Sequence, residues 1–367
     1  MLTKADDYPI HQTPEPIAYS GSDRNFYDRY FFNGYTRDGA YFFAAAMGVY
    51  PNLNIIDAAF SVVSDNVQHN LHASRILAME RFDTRVGPIS VEVVEPLERL
   101  RLRIDDEQKR IRADILFSRR ARAIEEPRFV RRIGPRTMMD YTRLTQNGSY
   151  EGWIEVHGKR IDVKPDSFVG TRDRSWGIRP VGASDSQPMV PPALPQFYWL
   201  WAPMNFDDSI TLYHDNADGG GVSWNTRGVI AGIGDSDPQE IDDVSSKVKF
   251  RSGTRRVAKA SITMRSAGGP ITVDVEPQFH FYMAGIGYMN AEWGHGYFKG
   301  ESAAGYDTYD LRTVDDNTPA MMHIQAFSKA RLTMPNGVTQ DGAGVLEQLI
   351  IGPHAPSGFK EIFDPAP

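Results

Sequence analysis

The densest grouping of chemically capable side chains in this sequence is Gly170-Thr171-Arg172-Asp173-Arg174-Ser175-Trp176-Gly177-Ile178-Arg179-Pro180. An unpaired ion in apolar surroundings costs several kcal/mol or changes its protonation state, so these arginines and the aspartate must be exposed, mutually paired, or set in a pocket where they act on something. A second grouping, Gly287-Tyr288-Met289-Asn290-Ala291-Glu292-Trp293-Gly294-His295-Gly296, again joins an acid, an indole and glycines, and adds a histidine. A carboxyl group in an apolar cavity stays protonated nearer neutrality and can donate a proton to an alkene or a leaving hydroxyl. Asp173 and Glu292 are the candidates for that chemistry, with His295 as proton partner. The alternative is structural: a positive charge within about 4–6 Å favours the carboxylate, and Asp173 paired with Arg172, Arg174 or Arg179 would then be a salt-bridge network bracing the fold.

The elements that must position these groups are strands. Period-two patterns recur and helix-period stripes are hard to find. Leu100-Arg101-Leu102-Arg103-Ile104, the turn Asp105-Asp106-Glu107-Gln108 and Ile111-Arg112-Ala113-Asp114-Ile115 read as a hairpin with one apolar and one charged face. Trp153 to Val163 reads as another, with Gly158 supplying a positive φ in its turn. Short strands follow at 197–201, 209–214, 260–264, 271–275 and 346–351. On strands, residues two apart share a face. Arg172, Arg174 and Trp176 then project one way and Asp173 and Ser175 the other, while Glu292 and Gly294 oppose Trp293 and His295. The aromatic run at 197–201, with Tyr198 and Trp201, together with Tyr213, His214 and Trp224, could line a cavity for a bulky apolar ligand or simply form core. Many short strands punctuated by Gly, Pro and Asp argue for an all-β fold, and closed barrels would leave few exposed edges. The length suits two domains, which we expect at 1–165 and 166–367, with the Pro-rich passage Gln187 to Pro195 as a connector.

Composition narrows the chemistry. There is no cysteine, which excludes disulfides, thiolate catalysis, iron–sulfur clusters and Cys-type zinc sites. Walker A, nucleophile-elbow, HExxH and kinase patterns are absent. His69 and His72 lie three apart without a third ligand nearby, Gly232-Ile233-Gly234 reads as a turn, and Asn147-Gly148-Ser149 reads as a hairpin or loop turn. The net charge of −7 gives no general attraction to phosphate backbones. The arginine-rich segment 119–132 is interrupted by Glu125 and Glu126 and reads as a solvated face. Met1 to Gln12 lacks the apolar core of a signal peptide, and the apolar run 41–50 is too short to span a bilayer, so the expected location is the cytoplasm.

The first grouping resembles the recurrent Gly-x-Arg-Asp-His-Ser-Trp-Gly-x-Arg pattern of the two-domain lipocalin-like proteins that include AttH-type proteins, carotenoid 1,2-hydratase and kievitone hydratase. The second, Gly-Tyr-x-x-x-Glu-Trp-Gly-His-Gly at 287–296, is similar to segments of uncharacterised bacterial members of that group. The resemblance implies two consecutive lipocalin-like antiparallel β-barrels. It also implies Asp173 as an acid and Trp176 as a wall able to stabilise a carbocation through its π face. One position departs from the pattern: Arg174 stands where the family has histidine, and an arginine cannot shuttle protons near neutrality. The expected function is binding of a hydrophobic small molecule, isoprenoid, steroid or polyketide-like, with cofactor-independent hydratase, lyase or isomerase chemistry. Arg172, Arg174, Trp176, Arg179, Tyr198, Trp201, His214, Tyr288 and Trp293 are the expected substrate contacts. No metal or cofactor, no nucleic acid and no integral membrane association are expected, and a homodimer is left open. The rivals are a non-enzymatic carrier and a scaffold protein.

Overall fold

The computed structural model describes residues 2–11, 23–184, 186, 187, 190 and 195–367. Most of the Pro-rich passage, and part of the polar N-terminal stretch, therefore lie outside the described residues. Strands dominate: β1 (Phe26–Thr36), β2 (Phe42–Tyr50), β3 (Ile55–Ser64), β4 (Val67–Ile76), β5 (Arg85–Val86), β6 (Ile89–Glu95), β7 (Arg99–Asp105), β8 (Ile111–Arg119), β9 (Ile124–Glu125), β10 (Phe129–Ile133), β11 (Arg136–Val156), β12 (Lys159–Val163) and β13 (Phe168–Ile178) come first. They are followed by β14 (Phe197–Trp201), β15 (Met204–Asn205), β16 (Ser209–Ala217), β17 (Ser223–Gly232), β18 (Gln239–Ile241), β19 (Val244–Phe250), β20 (Val257–Ser266), β21 (Gly269–Tyr282), β22 (Ser302–Asp310), β23 (Ile324–Thr333) and β24 (Thr339–Ile351). No helix among the described residues is long and apolar enough to cross a membrane.

The chain forms two compact units, each built on one antiparallel sheet. Unit 1 comprises residues 1–36, 40–192 and 285–309; unit 2 comprises 37–39, 193–284 and 310–367. The sheet of unit 1 runs β22-β4-β3-β2-β1-β13-β11-β8-β7-β6-β5, and that of unit 2 runs β18-β17-β16-β14-β24-β23-β21-β20-β19. The expected boundary at 165/166 is corrected by β13. This strand pairs along its whole length with β1, from Phe26↔Ile178 to Thr36↔Phe168, and with β11 from Asp140↔Ile178 to Ser149↔Val169. A strand with two in-register partners belongs with them.

Alternation produces the core of unit 1. Leu100, Leu102, Ile104, Ile111, Ala113 and Ile115 face inward with Phe32, Phe43, Phe60, Leu71, Phe117 and Tyr150, and fill the interior. On the opposite face of the same hairpin Arg101 pairs with Asp114 at 2.6 Å. The 153–163 hairpin forms as expected, with His157 and Gly158 at positive φ. Asn147-Gly148-Ser149 is not a turn but the middle of β11, where Gly148 leaves room for the ring of Phe117, 2.1 Å from where a Cβ would stand.

The inner face of β13 carries Arg172 and Arg174, both fully buried. Such guanidinium groups need anionic and carbonyl partners, and the N-terminal turn Lys4–Asp7 brings them. Arg172 donates to both Asp7 carboxylate oxygens (2.5 and 3.2 Å) and to Gln146 Oε1 (2.8 Å). Arg174 pairs with Asp28 at 2.5 Å and donates to the carbonyls of Asp6 and Tyr8. His11 spans Asp28 (2.8 Å) and Asp6 (3.1 Å). Burial opposes ionisation of Asp28, but Arg174 and His11 outweigh it and hold the carboxyl below its ordinary value. That contribution to stability is present at neutral pH and is lost as pH falls below about 4. We predict that Asp7→Asn, which strands Arg172 in the interior, lowers stability by about 3–5 kcal/mol in thermal melts at pH 7. An unchanged melting temperature would show that the N-terminal turn is dispensable.

Candidate acid–base site

The outward face of β13, β1, β2, β3 and β4 is set by register. Ser175, Arg29, Gly48, Asp57 and Ser74 lie side by side across the five strands. The next row reads Asp173, Phe31, Ala46, Ala59 and His72. The small side chains at Ala44, Ala46 and Gly48 make β2 a low floor, and residues 285–309 lie over it as a roof. Ser61 donates to the Gly285 carbonyl (2.9 Å), Arg29 to that of Ile286 (3.2 Å) and Ser74 to that of Tyr297 (3.3 Å). Asp307 accepts from Asn70 (2.6 Å) and meets His72 at 3.2 Å.

Asp57 is the carboxyl under this roof. Its Oδ2 accepts the Gly296 amide at 2.6 Å and its Oδ1 the Tyr50 hydroxyl at 3.2 Å. The Tyr50 phenol lies over Gly48, where any Cβ would come within 2.1 Å of its oxygen. Burial pushes the Asp57 carboxyl up to about 6, with Arg29, the Gly296 amide and Tyr50 pulling the other way. Burial likewise keeps the nearby phenols neutral: Tyr27 is pushed up to about 12 and Tyr50 well above its ordinary value.

The two sequence motifs meet here. Arg179 Nη2 lies 3.4 Å from His295 Nδ1, and its guanidinium stands over Tyr27 (4.4 Å) and Tyr288 (5.5 Å). Arg29 covers Tyr288 at 4.8 Å, and His295 meets the Tyr288 ring edge-on at 4.4 Å. His295 Nε2 is 3.0 Å from the Ile286 carbonyl, which can only accept, so Nε2 carries the proton and Nδ1 presents a lone pair to Arg179. Between roof and floor, Asp57, Ala59, His72, Trp293 and His295 surround a cavity of about 10 Å³, room for one water.

Several expected positions are corrected. The 287–296 segment is not a strand but a run of turns, with positive φ at Gly287, Met289 and Gly296. Glu292 points into solvent, its side chain 71% exposed and 3.4 Å from Lys299, so it lacks the apolar surroundings an elevated acid requires. Asp173 does face away from Arg172 and Arg174, and its charge acts on Tyr27 and Arg143. Arg172 and Arg174 are committed to the N-terminal turn. Trp176 stacks on His11 at 3.6 Å, so that face of the indole is taken. Trp293 stacks on His72 at 5.4 Å and packs against Gly305. Tyr198, Trp201 and His214 belong to unit 2, where Trp201 and His214 are register partners and Tyr198 stacks on His354 at 4.0 Å. That unit also buries Glu347, held by His323 (2.9 Å), Gln325 (2.7 Å) and Trp199 (2.9 Å).

Asp57, Arg29 and Tyr50 escaped the sequence reading. The signal was a lone charge inside an otherwise apolar strand, Ile55-Ile56-Asp57-Ala58-Ala59-Phe60, and the Asp28-Arg29 pair among the aromatics of β1.

The sequence matches the model of a family of unknown function, DUF8625, over residues 2–360, and the chain belongs to that family. No curated protein matches it. Among solved structures, kievitone hydratase from Nectria haematococca superposes with a TM-score of 0.54 at 10% identity, covering 88% of each chain. A protein assigned as AttH from Nitrosomonas europaea superposes with a TM-score of 0.52 at 13% identity, covering 90% of this chain and 93% of that one. These likenesses establish the lipocalin-like, two-domain all-β fold.

The elevated Asp57 carboxyl has a stability signature. Its folded-state value lies above the unfolded one, so its contribution is complete below about pH 4 and is lost as pH rises through 6. Asp57→Asn should flatten the dependence of melting temperature on pH between 4 and 7 and should melt no lower than the native protein at pH 7. A parallel pH dependence in both proteins would place the Asp57 titration in the ordinary carboxylate range.

Proposed function

We propose that this member of DUF8625 is a cofactor-independent hydratase, dehydratase or isomerase of a hydrophobic small molecule, with Asp57 as its acid–base group. The observation that carries the reading is the convergence of Arg179, Tyr288 and His295 from two distant motifs beside a carboxyl that burial pushes up to about 6. Carboxyls tuned toward neutrality by burial are suited to exchanging protons in both directions. The hydratase among the structural neighbours is an analogy of fold.

In the hydration direction, protonated Asp57 gives its proton to one alkene carbon, water adds to the other, and the proton released by that water returns to Asp57. One water is consumed and no electrons change hands. The Gly296 amide and Tyr50 hydroxyl hold the carboxylate formed in between, and His295 Nδ1 orients the Arg179 guanidinium beside it. Return of the proton to Asp57 restores the starting state, and the reverse sequence eliminates water. The space beside Asp57 admits a water and no larger molecule, so substrate entry requires segment 287–300 to lift, turning on the positive-φ glycines Gly287, Gly296 and Gly300.

The test is mass spectrometry of a hydrophobic metabolite extract incubated with the native protein and with folded Asp57→Asn, Asp173→Asn and Glu292→Gln. Asp57→Asn should slow conversion by about 10²–10⁴-fold, Glu292→Gln should leave it unchanged, and Asp173→Asn should have a smaller effect than Asp57→Asn. In the hydration direction the rate should fall as pH rises above 6. A compound converted equally by native protein and Asp57→Asn would sink the assignment, and one retained unconverted by both would make the protein a carrier.

A further inference from the structure

The outward row places a second unusual group two strands from Asp57. Arg29 is 1% exposed, yet its Nε and Nη1 have no hydrogen-bond partner among the described residues. Its remaining nitrogen donates to the Ile286 carbonyl, and its flat face rests on Tyr288. Asp57 feels the charge of Arg29 but makes no hydrogen bond to it: its oxygens accept from Tyr50 and Gly296, and Gly48 separates the two residues in the row. Arg179, on the other side of Tyr288, meets phenol rings and His295 rather than a carboxylate. Tyr27 and Tyr50 remain neutral at physiological pH, so neither supplies a negative charge. Two guanidinium groups thus share one aromatic enclosure in which neither is hydrogen-bonded to Asp57. Buried guanidinium N–H groups without acceptors are costly, and the cost is relieved when an oxyanion binds them.

Resting on the acid–base reading of this same site, we propose that Arg29 and Arg179 form an anion-recognition subsite, and that the substrate is a hydrophobic molecule carrying a carboxylate or phosphate. Arginine suits both, because its planar N–H array matches oxyanion geometry while its face stacks on aromatic rings. The anionic group would sit at Arg29 and hold the reacting carbon toward Asp57. Substrate affinity and proton transfer are then supplied by different residues.

Binding can be measured without turnover, by titration calorimetry and thermal shift in a chloride-free buffer. The probes are inorganic phosphate, decanoate and, as the neutral counterpart of decanoate, decanol; the proteins are native, Arg29→Met and Asp57→Asn. We expect saturable binding of phosphate, decanoate or both to the native protein, and none of decanol. Binding of phosphate alone points to a phosphate ester as substrate and of decanoate alone to a carboxylate. Arg29→Met should weaken that binding at least tenfold while melting at or above the native temperature, because a buried side chain with two unsatisfied N–H donors has been replaced by an apolar one of similar length. Asp57→Asn should retain the binding. Absence of anion binding to the native protein, or equal binding by Arg29→Met, overturns the subsite. Retained anion binding together with unimpaired turnover in Asp57→Asn would overturn the acid–base reading and leave the subsite standing.

Discussion

Unit 1 is organised around the burial of guanidinium groups in a sheet that is otherwise aromatic and aliphatic. Arg172 and Arg174 on the inner face cannot sit among Tyr30, Phe32 and Phe117 without partners, and the partners come from more than a hundred residues upstream: Asp7 from the N-terminal turn and Asp28 from β1. This fixes where the N-terminal segment lies, which in turn places His11 against Trp176. Arginine at 174, where the motif it resembles has histidine, follows from the same constraint. The position is a buried anchor for two backbone carbonyls and a carboxylate, and it needs permanent charge and several donors more than a titratable ring.

The outer face answers the same problem differently. Here the strands offer small residues in register, Ala44, Ala46 and Gly48, and the chain returns from a distance to cover them. Because the floor is low, backbone atoms of the roof approach closely enough to bond Ser61, Arg29, Asp57 and Ser74. The chemistry is therefore made by backbone amides and carbonyls as much as by side chains. Glycine at 296 matters for that reason: its φ of 73° turns its amide onto Asp57.

The sequence made the strands and their facing legible, because alternation is a local property. Leu100 to Ile115 paired as read, and on β13 the parity that sends Arg172 and Arg174 one way and Asp173 the other holds. The second motif misled, since a period-two reading assumes extended backbone while two positive-φ glycines, Gly287 and Gly296, and a positive-φ methionine curl it into turns. Asp57 stands outside any cluster of charge, yet a single carboxylate in an apolar strand is the costlier and thus more informative feature. The partnership of Asp7 with Arg172 spans 165 residues. No local pattern encodes it.

The discontinuity of unit 1 also sets an order of events during synthesis. Residues 1–192 can assemble the sheet from β1 to β13 as soon as they leave the ribosome, but the roof over Asp57 and Arg29 arrives only after the strands from β14 to β21 have been made. Until then the outer face of β1–β4 waits with its polar groups open to water. The enclosure is thus a late product of translation, completed by a segment that lies between two stretches of unit 2, so that any nascent chain stopped before residue 285 carries the carboxyl and the guanidinium without the environment that gives them their character.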